Sequence, residues 1–362
     1  MATVILLSTF PLPYSKIGSW TTMYKNYMAD GDHQIDYIVC HDPVERFPNV
    51  EYSIVNDGIL TKISREFTFY KAAYLKALEK IIKPGGKYII QLVDNFQMAY
   101  KVDAMLREKG MRDNCYLQIF YHGFSPFLPA DKSNFYSIID ELVVLTHDSY
   151  RAHLDFYTVF TCRVSVLYNG IDTKKFSPVS KGERYARKQL LGHGGKKLFL
   201  WLAQDRPKKG LNLILDAWRE FHSKFGDTEL MIVGAMRDKK QKGVTYYGQI
   251  PNDELPKYYQ AADCYLFPTL CHEGFGLSLI EALNSGCYCI ASKLGGVPEV
   301  LDYGKYGRLI ENPNFKKEWV KAMADFMDGA PQIELPEQGL YTKESWNSGM
   351  NAIIKQAKSS LE

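Results

Sequence analysis

The chain has 362 residues, 46% of them hydrophobic, enough to bury large cores and to suggest two domains. Lysine and arginine total 44 against 41 acids, and a formal charge of +3 is too slight to argue for nucleic acid as a partner. No run approaches the roughly 18 uninterrupted apolar residues of a membrane-crossing helix, the start lacks a secretory signal pattern, and seven cysteines without a CxxC pair fit reduced thiols in a cytoplasmic protein.

Thr3 to Ser8 reads as a fully buried strand, the usual opening of a parallel sheet. Pro11 and Pro13 follow it where a GxGxxG fingerprint would stand, so an NAD-dependent oxidoreductase is disfavoured. Gly18 and Ser19 form a turn ahead of a helix through Met23, Tyr24, Tyr27 and Met28. Gly18 either offers ligands a close approach or is a plain loop glycine. A strand within His33 to Cys40 precedes a long helix from Ile63 to Ile81, whose Phe67, Tyr70, Tyr74 and Leu78 mark a core-facing side. After the Lys83 to Gly86 turn come a strand at Tyr88 to Leu92 and a helix from Asn95 toward Gly110.

Cys115 to Tyr121 is a strand that runs straight into His122. Polar groups beyond strand carboxyl ends are favoured ligand positions in doubly wound sheets, which makes His122 a candidate substrate contact. A satisfied structural histidine is the alternative, since nothing local identifies a partner. Strands at 141–146 and 163–167 complete this half, and Asn169-Gly170 with Pro178 marks the domain boundary.

Basic residues crowd the start of the second half, from Lys181 to Lys209. That density suits an anionic ligand or peripheral contact with membrane headgroups, although a solvated face is the commoner meaning of a charge run. Lys197 to Leu202 reads as a strand, and Leu211 to Phe221 as a helix burying Leu213, Ile214, Ala217, Trp218 and Phe221. Lys209 stands just before that helix, where its ammonium can join helix N–H groups against a phosphate; Arg206 can do the same or merely solubilise the loop. Further strands are expected at 229–234, 244–248, 262–267 and 287–292, with a helix opening near Leu255.

Between the strand ending at Pro268 and a helix carrying Leu279, Ile280 and Leu283, which should stop near Ser285-Gly286, lies Cys271-His272-Glu273-Gly274-Phe275-Gly276. Glycines there expose helix-start N–H groups, a ready site for anions. Glu273 and Glu281 bracket the turn; the bland reading makes one a helix-start acid and the other a surface acid. Gly295-Gly296 after the next strand offers another close approach for a phosphate or base. A last helix through Trp346, Met350 and Ile353-Ile354 must pack its apolar side on something, with the first domain the natural candidate. Alternating strands and helices indicate an α/β chain of two parallel-sheet domains.

The order of Gly18, His122, Asn169-Gly170-Ile171-Asp172, Lys209-Gly210 and Glu273-Gly274-Phe275-Gly276 with Glu281 resembles the retaining GT-B glycosyltransferases that include sucrose synthases and phosphatidylinositol mannosyltransferases. The most specific part is the Glu-x7-Glu pattern followed by Gly-Gly-Val-Pro-Glu at 295–299. The resemblance implies two Rossmann-like domains facing a cleft: 1–168 for the acceptor, 169–340 for a nucleotide sugar, and a 341–360 helix crossing back onto the first. It implies transfer of a hexosyl group from a nucleoside diphosphate sugar, UDP-linked by preference or GDP-linked, to a glycan or lipid-linked glycan. Glu273 would bind the transferred sugar, the N–H groups of Phe275, Gly276 and Leu277 the diphosphate, and Glu281 the ribose. Lys209, with Arg206, would neutralise the diphosphate, Gly18 would admit it, and His122 would sit by the sugar. No cofactor or metal is expected, Asp30-Gly31-Asp32 being read as a turn. The family's usual arginine five residues before the lysine is Gln204 here. A GT-B epimerase or phosphorylase and a non-catalytic nucleotide-sugar binder are the alternatives.

Overall fold

The computed structural model describes residues 2–14, 19–29, 31–56, 69–126, 135–156, 160–238, 240–329, 333–335, 337 and 339–362. They form two compact units, Met1–Asn169 with Lys343–Glu362, and Gly170–Thr342.

In the first unit the chain runs β1 (Thr3–Leu7), α1 (Ser19–Ala29), β2 (Tyr37–Cys40), β3 (Glu51–Ile54), α2 (Phe69–Glu79), β4 (Tyr88–Val93), α3 (Phe96–Glu108), β5 (Cys115–Tyr121), α4 (Phe135–Ile138), β6 (Glu141–Val144), α5 (His147–Phe156) and β7 (Arg163–Val166). The strands make one parallel sheet, ordered β3-β2-β1-β4-β5-β6-β7. Helices on both faces leave every residue of β4 buried, which is why that strand reads as a continuous apolar run broken only by Gln91. Gln91 is cross-strand partner to Gln118, and Gln118 to Glu141. Gln91 Nε2 donates to Gln118 Oε1 at 3.0 Å and Gln118 Nε2 to Glu141 Oε2 at 2.7 Å, so this buried polar row fixes the register of three strands.

The last helix, α12 (Lys343–Ser360), belongs to this unit. It buries Trp346, Met350, Ile354 and Ala357 at helical spacing. Trp346 packs edge-on against Tyr24 and Tyr27 of α1, at 5.7 and 5.6 Å between ring centres.

The second unit runs α6 (Lys181–Leu190), β8 (Lys197–Leu202), α7 (Leu211–Lys224), β9 (Thr228–Val233), β10 (Val244–Gly248), α8 (Leu255–Ala261), β11 (Cys264–Phe267), α9 (Leu277–Asn284), β12 (Tyr288–Ser292), α10 (Val297–Val300), β13 (Arg308–Ile310) and α11 (Lys316–Gly329). Its strands form a second parallel sheet, β10-β9-β8-β11-β12-β13. Its core stacks Phe199 and Trp201 of β8 with Trp218 and Phe221 of α7 and Trp319 and Met323 of α11.

Several expectations change in detail. The second strand, Tyr37–Cys40, lies within the expected His33 to Cys40 stretch, and β3, α5, β13 and α11 add elements that the sequence reading did not place. Residues 63–68 of the expected long helix lie outside the described residues; within them Tyr74 and Leu78 are fully buried, as a core side requires. The basic run after Ser180 is a structural anchor more than a solvated face. A Ser180–Glu183 capping box starts α6, Arg184 donates to the carbonyls of Ala262 and Gly286, and the buried Lys188 pairs with Asp263 at 2.5 Å.

Candidate active site

In each sheet the strand order reverses direction once, and open parallel sheets bind ligands beyond the strand carboxyl ends at that point. In the second unit the reversal lies between β8 and β11. The loops leaving those strands carry Lys209 and Glu273, and they are tied together where Leu270 N donates to the Lys208 carbonyl at 2.8 Å. Gly210 makes the close approach feasible. Its φ is +69°, and a Cβ there would lie 2.0 Å from the Pro268 carbonyl oxygen.

Lys209 ends a short 3-10 turn over Pro207–Lys209, its carbonyl held by Trp201 Nε1 at 3.1 Å. The side chain is therefore the free part, and its Nζ lies 2.6 Å from Glu273 Oε2 with both side chains largely buried. The Thr269 hydroxyl donates to the same oxygen at 3.4 Å. Glu273 is also held by its backbone: Gly296 N donates to its carbonyl at 2.8 Å, and a Cβ on Gly295 would come within 2.5 Å of its nitrogen. Gly295-Gly296 thus receives the Glu273 backbone, which occupies the approach that the sequence reading had offered to a phosphate or base.

Gly276, at φ +92°, is the N-cap of α9, and the first N–H groups beyond it have no acceptor inside the helix. The Phe275 ring is buried edge-on against Tyr341 at 5.1 Å, so its side chain is a packing element; Leu277 is half-buried. Glu281, further along α9, accepts from the Tyr259 hydroxyl at 2.9 Å. Part of the residue reaches solvent, but its carboxyl end is enclosed. Burial pushes that carboxyl up to about 7, against the opposing pull of the Tyr259 hydroxyl and Lys175. The two glutamates thus have separate partners, Lys209 for one and Tyr259 for the other.

Arg206 is exposed, as are Gln204 and Lys208. Arg237, from the loop after β9, grips the Asp205 carboxylate through both terminal guanidinium nitrogens, Nη1 to Oδ2 and Nη2 to Oδ1, the latter at 2.8 Å. It sets a guanidinium one residue from Gln204, and no spacing in the sequence marks it.

In the first unit the reversal lies between β1 and β4. Gly18 lies outside the described residues. His122 follows β5, and the partner that the sequence did not reveal is Asp94, at the end of β4. Asp94 Oδ1 accepts from His122 N at 2.8 Å, and Oδ2 lies 3.4 Å from His122 Nδ1. The signal was present as an acid directly after a buried strand.

Residues 183–338 match the family described as "Glycosyl transferases group 1". The matched region is under half of the chain. It contains Lys209, Glu273 and Glu281. Phosphatidyl-myo-inositol mannosyltransferase of Mycobacterium tuberculosis is 30% identical over 150 residues, 39% of this chain and 38% of that protein. The chain thus aligns with less than two thirds of that relative's length. Among solved structures, sucrose-phosphate synthase from Thermosynechococcus elongatus superposes with a TM-score of 0.68 at 18% identity, over 100% of this chain and 97% of that one. Anabaena Alr3699/HepE in complex with UDP and glucose gives 0.68 at 14%, covering 99% of this chain and 100% of that one. At such identities these two likenesses are of fold, the two Rossmann-like units of the GT-B architecture. Among the described residues, no helix is long and apolar enough to cross a membrane.

Proposed function

We propose that this chain is a retaining glycosyltransferase that moves a hexosyl group from a nucleoside diphosphate sugar to a hydroxyl of a glycan or lipid-linked glycan. The observation that carries the reading is the Lys209–Glu273 pair at the reversal point of the second sheet, beside the N-terminus of α9. The ammonium and the helix N–H groups of Gly276 and Leu277 suit a diphosphate, whose charge grows as the glycosidic C–O bond breaks. Glu273 then accepts hydrogen bonds from the sugar hydroxyls, and Glu281 from the ribose. With retention, the departing phosphate oxygen takes the proton of the attacking acceptor hydroxyl while the new C–O bond forms on the same face. Because Lys209 supplies the countercharge, no metal is needed, and EDTA should leave turnover unchanged.

Two relatives support two donors, mannosyl transfer for the mycobacterial protein and UDP with glucose for the Anabaena one. We favour a UDP-sugar, with a GDP-sugar as the second donor to test. Seven free cysteines fit a cytoplasmic location, with peripheral contact at a membrane if the acceptor is lipid-linked. A thermal-shift panel of nucleotides and nucleotide sugars, followed by product analysis with candidate acceptors, tests the reading. Stabilisation by one nucleotide sugar and a glycosylated product of unchanged anomeric configuration are expected. Binding without turnover would make the protein a nucleotide-sugar binder, and a Lys209→Ala variant that binds and turns over like the wild type would remove the assigned site.

A further inference from the structure

Asp94 occupies in the first sheet the place that the Glu273 loop occupies in the second, just beyond the strand that flanks the reversal of strand order. Three observations set it apart from a solvated loop acid. Its backbone is left-handed, φ +50°, a conformation that a residue other than glycine adopts at some cost and that gathers at functional sites. Its carboxylate is 38% exposed, so packing does not require it, yet both oxygens are turned toward His122, one to the backbone N–H and one toward the ring. His122 Nδ1 is buried and has no hydrogen-bond partner of normal geometry among the described residues, so Asp94 Oδ2 at 3.4 Å is the acceptor within its reach. Such contacts are often long in a free enzyme and shorten when substrate binds. Beside them, the Tyr24 hydroxyl is buried with no hydrogen-bond partner among the described residues and lies in the field of the Asp94 charge.

We propose that Asp94 is a positioning residue for His122: it accepts the Nδ1 proton, fixes the ring tautomer, and leaves Nε2 as the acceptor for a substrate hydroxyl at the first unit's reversal point. A neutral imidazole has one donor and one acceptor nitrogen, and the bond made by one decides the role of the other. The substrate part rests on the proposed transferase reading, but the tautomer can be measured with no substrate present.

Asp94→Asn is the informative variant. Asparagine tolerates the left-handed backbone, and its single carbonyl oxygen, kept by the His122 N–H, turns the amide NH2 toward Nδ1. In the full chain with nitrogen-15-labelled histidine rings, and with the His122 signals identified by their loss in H122N, the wild type should carry the ring proton on Nδ1. D94N should move it to Nε2. Turnover with the donor found by the nucleotide-sugar panel should fall about a hundredfold, with nucleotide affinity changed less than about twofold because that site lies in the other unit. A wild-type proton on Nε2, or an unchanged tautomer in D94N, would overturn the positioning role. A switched tautomer with undiminished turnover would overturn its link to substrate. Should no nucleotide sugar bind at all, the transferase reading fails while the ring measurement still decides the Asp94–His122 contact.

Discussion

Lys209 and Glu273 neutralise each other in the free chain, so an incoming diphosphate has to draw the ammonium away from a carboxylate 2.6 Å distant. Glu273→Gln removes that competitor. Nucleoside diphosphate alone should then bind tighter, about three- to tenfold in calorimetry, while sugar transfer drops; weaker or unchanged binding would argue that the lysine never changes partner. Glu281 gives a pH signature. With its carboxyl at about 7 in the folded chain against an ordinary 4.5, the unfolded chain loses this proton first as pH rises between those values. Its contribution to stability therefore falls across that window, and Glu281→Gln should flatten the corresponding part of a stability profile. If the ionised form holds the ribose, nucleotide affinity should rise from pH 6 to pH 8 in the wild type and stay level in the variant. At this scale the sequence was legible where chemistry follows a motif, as at Lys209 and Glu273. Asp94 carried only the weak signal of an acid after a buried strand and Arg237 none, because each gains its meaning from a partner on another strand's loop.

At the scale of elements, two of the turns that build the second unit's site depend on backbone that only glycine adopts comfortably. Gly210→Ala places a methyl group 2.0 Å from the Pro268 carbonyl at a positive φ. We expect a loss of about 1–3 kcal/mol, read as a lower midpoint in urea; an unshifted midpoint would mean that the two loops part easily. Long buried strands and strongly periodic helices were readable from residue order alone, β5 to the residue. The edge strands β3 and β13 were not, being four and three residues long with little alternation to mark them. Helix α11 went unplaced although Trp319, Ala322, Met323 and Phe326 repeat at helical spacing behind the Asn312-Pro313-Asn314 turn signal. The α6 charge run misled because Lys188 and Arg184 find carboxylate or backbone partners 75 or more residues away in sequence, which composition cannot show.

For the molecule as a whole, α12 matters beyond its length. Trp346→Ala should destabilise the first unit by about 3–5 kcal/mol, and in urea the transition of that unit should move while the transition of Gly170–Thr342 holds its place. Equal movement of both, or of neither, would contradict the division. The two-sheet architecture was legible because strands and helices alternate throughout, and fold likenesses span nearly the full length. The donor's base and the acceptor were not, since no local residue pattern encodes them.

The first unit draws on two stretches of chain separated by 173 residues, Gly170–Thr342. A ribosome delivers them far apart in time. The unit translated first must hold its α1 face and the Gln91 face of its sheet uncovered until residues 343–362 have left the exit tunnel, while the continuous second unit has all its strands in hand earlier. The half that begins synthesis is therefore the half that finishes folding last, and a nascent chain halted near residue 342 should bind chaperones through the surface that Trp346 and Met350 will later cover.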